Sequence, residues 1–416
     1  MCNAYTCKQN VPTKSIYIQR NCLCEEACFL QNKFGIPKVD HRRQPFKGNQ
    51  AWRAKLAGKD ILKCKKRAVL WGILGDLDFF FKDLKGKHWN ACGEGGMCNF
   101  CPANTFALDN PLAIPWTDHR LSALWKALVY LASEWAAIPP STHPLWQLDG
   151  ISRYYLMQDC LHILEQNGVS SHCVGNCLAT ILQERVGKRN ASKEELEAAW
   201  PSLWNDIQAI YEELKAQKVI KHVLNRLELS WFWHGKTDYP CVSKVVKAAE
   251  MRDLCPVLLK ICEQQLSQGT KLETYAKGPY AELPAQRVFL MRNLARFYDI
   301  CKEEGMFLSS GASTELQECA YKVGLFYSQL TKDAQDLRLK EFSQVPKFHF
   351  MEHLAAQGKF LNPRVFWTYM SEDFVGKVAR LGKGVLRGGT ARSKVPLKLI
   401  KSYRMAWFFW LRRFYD

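Results

Sequence analysis

Cys98-Asn-Phe-Cys101 sets two thiols two residues apart, the spacing at which a thiolate pair can take one edge of a zinc tetrahedron. His88 and Cys92 lie just upstream. One such pair is half a site, and it also admits redox chemistry or chance clustering in a chain with 17 cysteines. Asp159-Cys160-Leu161-His162 could supply the other half. An Asp and a His three apart share one helix face and can converge on one ion. Cys98, Cys101, Asp159 and His162 together make a four-ligand N/O/S set, with Cys160 as a substitute donor. The plainer reading of His162 is a hydrogen-bonded structural histidine. Asp76 follows an apolar run, where a carboxylate can hold a divalent cation above a sheet or simply begin a turn. Glu372-Asp373 precede Lys377, Arg380 and Lys383, which suits an ion-paired helix start or a metal-holding acid beside a polyphosphate groove.

These residues need elements to position them. Ala68–Leu74 (AVLWGIL) is a short apolar run that reads as a buried strand ending at Asp76, and Asp78–Leu84 then reads as helical. Gly86–Asn110, rich in Gly, Cys and Asn, is a loop. Pro111, Pro115 and Asp118 lead into a helix over Arg120–Ala137. Helical spacing runs through Met157–Val186, 202–217, 243–266, 284–304 and 313–331, and Ser192 with Glu195 forms a capping box that starts a helix through Trp200. Ile220–Phe232 reads as extended. The expected organisation is a Cys-rich, poorly ordered or truncated lead-in over 1–45, then a short α/β segment with the CxxC loop over 46–118. A helical insertion over 119–340 and a returning segment over 341–416 complete it.

The chain has 416 residues, beyond the size at which one core keeps growing, and an ordinary apolar fraction of 47%. That excludes wholesale disorder and fibrous classes. No run approaches the roughly 20 apolar residues of a membrane helix, and no signal-peptide core follows Lys8, Lys14 and Arg20. Seventeen cysteines in so long a chain therefore read as intracellular thiols, some of them metal-binding. The formal charge of +18 sits at the two ends: residues 1–67 carry a net +11, residues 377–416 a net +10, and the body between them −3. Basic ends on a near-neutral body point to a polyanion, and nucleic acid is preferred over an anionic membrane surface. In the C-terminal segment, Tyr403, Trp407, Phe408, Phe409, Trp410, Phe414 and Tyr415 surround Arg404, Arg412 and Arg413. This mixture could stack bases and clamp phosphates, although rings of an amphipathic terminal helix docking on the body are the stronger reading.

Taken in order, RAVLWGILGDLDFFFKDLKGKHWN…MCNFC, DCLHILEQNGVSSHCVGN and KFHFMEH…KFLNPRVFWTYMSEDFVGK resemble the catalytic region of CACTA- and Plavaka-type cut-and-paste DNA transposases, over roughly residues 50–385. The resemblance implies an α/β, RNase H-like core interrupted by a large, mainly α-helical insertion. It implies Asp76 as the second catalytic acid, Glu372 as the third, and Cys98, Cys101, Asp159 and His162 as paired CxxC and DxxH elements around a structural zinc. It further implies Mg²⁺ or Mn²⁺ for phosphodiester cleavage and strand transfer, a nuclear location, and double-stranded DNA as partner. Lys377, Arg380, Lys383, Arg387, Arg392 and Lys394 would then track its phosphates. The family's first catalytic Asp has no counterpart: Asp40 and Asp60 are the only acids between Glu26 and Asp76, and neither follows an apolar run. A chain of this kind reads as a truncated or relic copy, and whether it still cleaves DNA is left open by the sequence. A zinc-stabilised nucleic-acid-binding protein and a helical scaffold are the competing classes.

Overall fold

A computed structural model describes residues 3–5, 13–18, 67–84, 86–89, 96–104, 110–130, 155–235, 238–242, 245–269, 281–359 and 361–369, together with 380, 383, 398 and 401. The chain divides into two compact units, Met1–Phe366 and Trp367–Asp416. The first is predominantly helical.

Its sheet has the order β1-β2-β3-β4, from strands Asn3–Tyr5, Thr13–Ile18, Arg67–Gly75 and Leu156–Gln158. β1 runs antiparallel to β2, whereas β2–β3 and β3–β4 are both parallel. Consecutive residues Ile73 and Leu74 are both buried, so both faces of β3 are covered at that end. This is why the strand reads as a continuous apolar run rather than an alternating one. β3 ends where expected, and Asp76 caps helix α1 (Leu77–Lys82) by accepting a 2.7 Å hydrogen bond from the Phe79 amide. Gly75 is required at this corner, because a Cβ there would lie 2.0 Å from the Phe79 ring.

The expected Arg120–Ala137 helix shrinks, among the described residues, to the single turn α2, Leu124–Ala127. Met157–Val186 is likewise not one helix. It opens with β4, makes the short helix α3 (Cys160–Leu164), turns through Asn167 and Gly168, and continues as α4 (Val169–Val186). A three-residue segment carries no periodicity of its own, and only pairing with β3 decides β4 as strand. Ile220–Phe232 forms no strand and ends in a 3-10 turn at Leu229–Trp231.

α4 is buried almost all round, as a helix at the centre of a bundle must be. Two of its polar side chains are paired inside: Asn176 donates to the His172 and Pro240 carbonyls and accepts from the Phe342 amide, and Glu184 pairs with the buried Arg287. Around it pack α5 (Lys193–Ala216), α6 (Ala248–Gln268), α7 (Leu283–Glu303) and α9 (Lys347–Gln357), while α8 (Ser310–Asp336) lies against α7 and α9. The Ser192–Glu195 capping box forms as read, but its helix continues unbroken through Pro201 to Ala216. No helix among the described residues is long and apolar enough to cross a membrane.

In the second unit Arg380, Lys383, Lys398 and Lys401 are helical and exposed. Glu372, Lys377, Arg387, Arg392, Lys394 and the terminal aromatic cluster lie outside the described residues.

Candidate metal centre

The CxxC segment is a tight knuckle. Gly96 adopts φ +67°, Met97 donates its amide to the Ala103 carbonyl at 3.0 Å, and the Phe100 amide donates to Cys98 Sγ at 3.2 Å. The knuckle is anchored from outside by Asn99, which accepts from the Lys87 amide, and by Tyr130, whose amide donates to the Phe100 carbonyl. The thiols of Cys98 and Cys101 are fully buried.

The partners of these thiols come from α9. His349 and His353 stand one turn apart on that helix, so their rings share a face. Cys101 Sγ lies 3.4 Å from His349 Nε2, and the two histidine Nε2 atoms are 3.2 Å apart. All four donor atoms fall within 4.8 Å of one another. On a zinc tetrahedron with Zn–N near 2.0–2.1 Å and Zn–S near 2.3 Å, N···N edges are about 3.3 Å and N···S edges about 3.6 Å. The two distances match those edges. Two soft sulfurs and two imidazoles in a tetrahedral array form a donor set for zinc, and four protein ligands leave no position open for substrate. The group can hold a structural metal and is not built for catalysis.

Electrostatics agree. Burial pushes the Cys98 thiol up, but Cys101's hydrogen bond and the two histidines outweigh it and hold Cys98 well below its usual value. Burial and the neighbouring Cys98 push Cys101 well above its usual value. Burial also lowers His349, against the pull of Cys98. A divalent ion bound here would favour the ionised form of both thiols.

Around the donors is an aromatic shell. Trp125 lies 4.3 Å from the His349 ring and 5.3 Å from that of His353, and Phe100 packs 5.3 Å from His353. Trp125 is fixed in turn by donating Nε1–H to the Asp118 carbonyl at 2.7 Å. Glu352, between the two histidines in sequence, accepts from buried His119 at 2.7 Å and pairs with Lys126 at 2.6 Å, tying the α2 segment to α9. At the other end of α9, Gln357 accepts from the Gln158 amide and donates to the Leu156 carbonyl, standing in for a neighbouring strand along β4. One helix therefore carries two candidate ligands and bonds directly to the sheet.

The structure thus joins Cys98 and Cys101 to His349 and His353 rather than to Asp159 and His162. Asp159 caps α3, accepting from the Leu161 amide at 3.0 Å, and its second oxygen takes a short hydrogen bond from His162 Nδ1. Asp and His do share a helix face there, but they bond to each other. The missed signal was present: H-x₃-H within KFHFMEH is a zinc-ligand spacing. Asp76 lies at the C-terminal end of β3, and the Asp159 amide donates to the Gly75 carbonyl at 3.2 Å on the adjoining strand, so the two acids begin helices side by side. No family model, characterised protein or solved structure matches this chain.

Proposed function

We propose that this is a transposase-derived nuclear DNA-binding protein whose RNase H-like core is stapled by zinc and whose strand-cleavage chemistry has been lost. One observation carries the reading: an antiparallel β1–β2 pair is followed by parallel neighbours β3 and β4, with Asp76 at the C-terminal end of β3. The parallel pairing makes β2 the neighbour of the strand that ends at Asp76, which is where a partner acid of an RNase H-like site would stand. Thr13–Ile18 reads TKSIYI and holds no acid. Two hard cations bracketing a phosphate need more than the two carboxylates that Asp76 and Glu372 provide, so the second ion is lost and in-line cleavage with it.

The zinc clamp supports the same reading. Cys101 and His349 are 248 positions apart, yet Cys98 follows Asp76 by only 22 residues and His353 precedes Glu372 by 19. A four-ligand zinc at this point shortens the chain path between the two acids from nearly three hundred residues to a few dozen. It holds the returning segment to the core across the helical insertion. DNA is then bound by the basic ends, with exposed Arg380, Lys383, Lys398 and Lys401 among the phosphate contacts.

The test is duplex binding and cleavage on one preparation. Affinity is expected to fall by orders of magnitude between about 50 and 200 mM salt, with no nicking in Mn²⁺. A salt-independent or absent interaction overturns DNA binding; metal-dependent nicking abolished by Asp76→Asn overturns the loss of catalysis.

A further inference from the structure

Zinc-ligating histidines usually donate their second ring N–H to a carboxylate or carbonyl, which fixes the tautomer and orients the ring. His349 does not. Its Nε2 faces Cys101 and His353, while its Nδ1 is buried with no hydrogen-bond partner. Of the rings that lie against it, Trp125, 3% exposed, is nearer than His353 or Phe350, with ring centroids 4.3 Å apart and planes at 68°. A separation that short at so steep an angle fits an N–H directed at an indole face.

We infer that Trp125 is a positioning residue of the metal centre, its indole face accepting Nδ1–H of His349. The contact locks His349 in the tautomer that presents Nε2 to the metal, and it does so without adding charge to the shell. Trp125 can serve because it is itself immobilised: its Nε1–H is spent on the Asp118 carbonyl, and Lys126 beside it is held by Glu352. Trp125, on the four-residue turn α2, is thereby assigned the task of orienting a ligand 224 positions away.

This inference rests on zinc occupying the four-donor group, and the experiment separates the two. Zinc affinity is measured for the full-length protein by competition with a chromophoric chelator, for wild type, Trp125→Leu and Trp125→Phe. The Leu variant should bind about 10- to 100-fold more weakly, the loss typical of removing an outer-shell partner, and Phe, which keeps a π face, should recover most of it. In the zinc-loaded wild type labelled with ¹⁵N-histidine, one imidazole N–H proton should be shifted strongly upfield by the indole ring current and exchange slowly. That signal should vanish in Trp125→Leu. It does not require any variant to fold, and mere packing would not produce it. If wild type binds no zinc, the metal reading falls. If wild type binds zinc but shows no upfield N–H, or if Leu binds as tightly as wild type, the Trp125 assignment falls while the metal reading stands.

Discussion

The two cysteines and two histidines differ from every other titratable cluster among the described residues in having donor atoms that all meet within one ion's reach. Substituting any one of them should abolish metal binding. Purified wild-type protein should contain about one zinc per chain, Cys98→Ser and His353→Ala should contain essentially none, and Asp159→Ala should keep it, all read by elemental analysis. Retention of zinc in His353→Ala would return the site to the Asp159–His162 pair. A second residue-level expectation concerns His172 on α4. Burial lowers its pKa from 6.5 to about 4, with Lys347 adding to the effect. The unfolded chain therefore binds more protons than the native one between about pH 6.5 and 4, and stability should fall as pH drops through that window. The size is about 3 kcal/mol for a shift of this extent, by 1.36 kcal/mol per unit. His172→Gln should flatten that part of the curve in denaturant titrations; an unchanged slope would place the acid sensitivity elsewhere.

At the scale of elements, the contact between α8 and the α2 segment turns on a glycine. A Cβ on Gly324 would sit 2.5 Å from His119 Nδ1, the atom that bonds Glu352. Gly324→Ala would gain up to about 1 kcal/mol of helix propensity but must displace a buried ring in an ion-paired cluster. A net loss of about 1–3 kcal/mol is expected, the usual range for overpacking. Equilibrium unfolding in urea measures it, and a stabilised variant would mean that His119 is free to move. Asp76 offers the opposite case. Because it caps α1, Asp76→Ala should cost about 1 kcal/mol, whereas Asn, an equally good cap, should cost almost nothing. Neither change should alter DNA affinity if Asp76 no longer holds a cation.

For the molecule as a whole, charge and fold are separable. The body from 68 to 376 carries a net −3 and supplies the packed core, while the excess cations lie at the two ends. Replacing Arg380, Lys383, Lys398 and Lys401 together with alanine should therefore leave zinc content and unfolding midpoint unchanged. The slope of log affinity against log salt should become shallower by up to about 3.6, since each phosphate contact contributes about 0.9. A slope equal to that of wild type would move the DNA contacts to other residues.

The sequence alone determined the features that are local in origin. The apolar run of β3, the Asp76 and Ser192 caps, the long helices after residue 190 and the charge at the ends all follow from neighbours a few residues apart, and such signals survive without tertiary context. The CxxC half of the centre was legible for the same reason. Its other half was not, because Asp159–His162 and His349–His353 both offer donors on one helix face, and spacing along a chain does not say which helix arrives at the knuckle. That choice fell to long-range packing: α9 bonds along β4 through Gln357 and is gripped by His119 and Lys126 through Glu352, which brings His349 and His353 to the thiols. β4 itself was invisible for a related reason, since a three-residue segment becomes a strand only when a neighbouring strand supplies its hydrogen bonds.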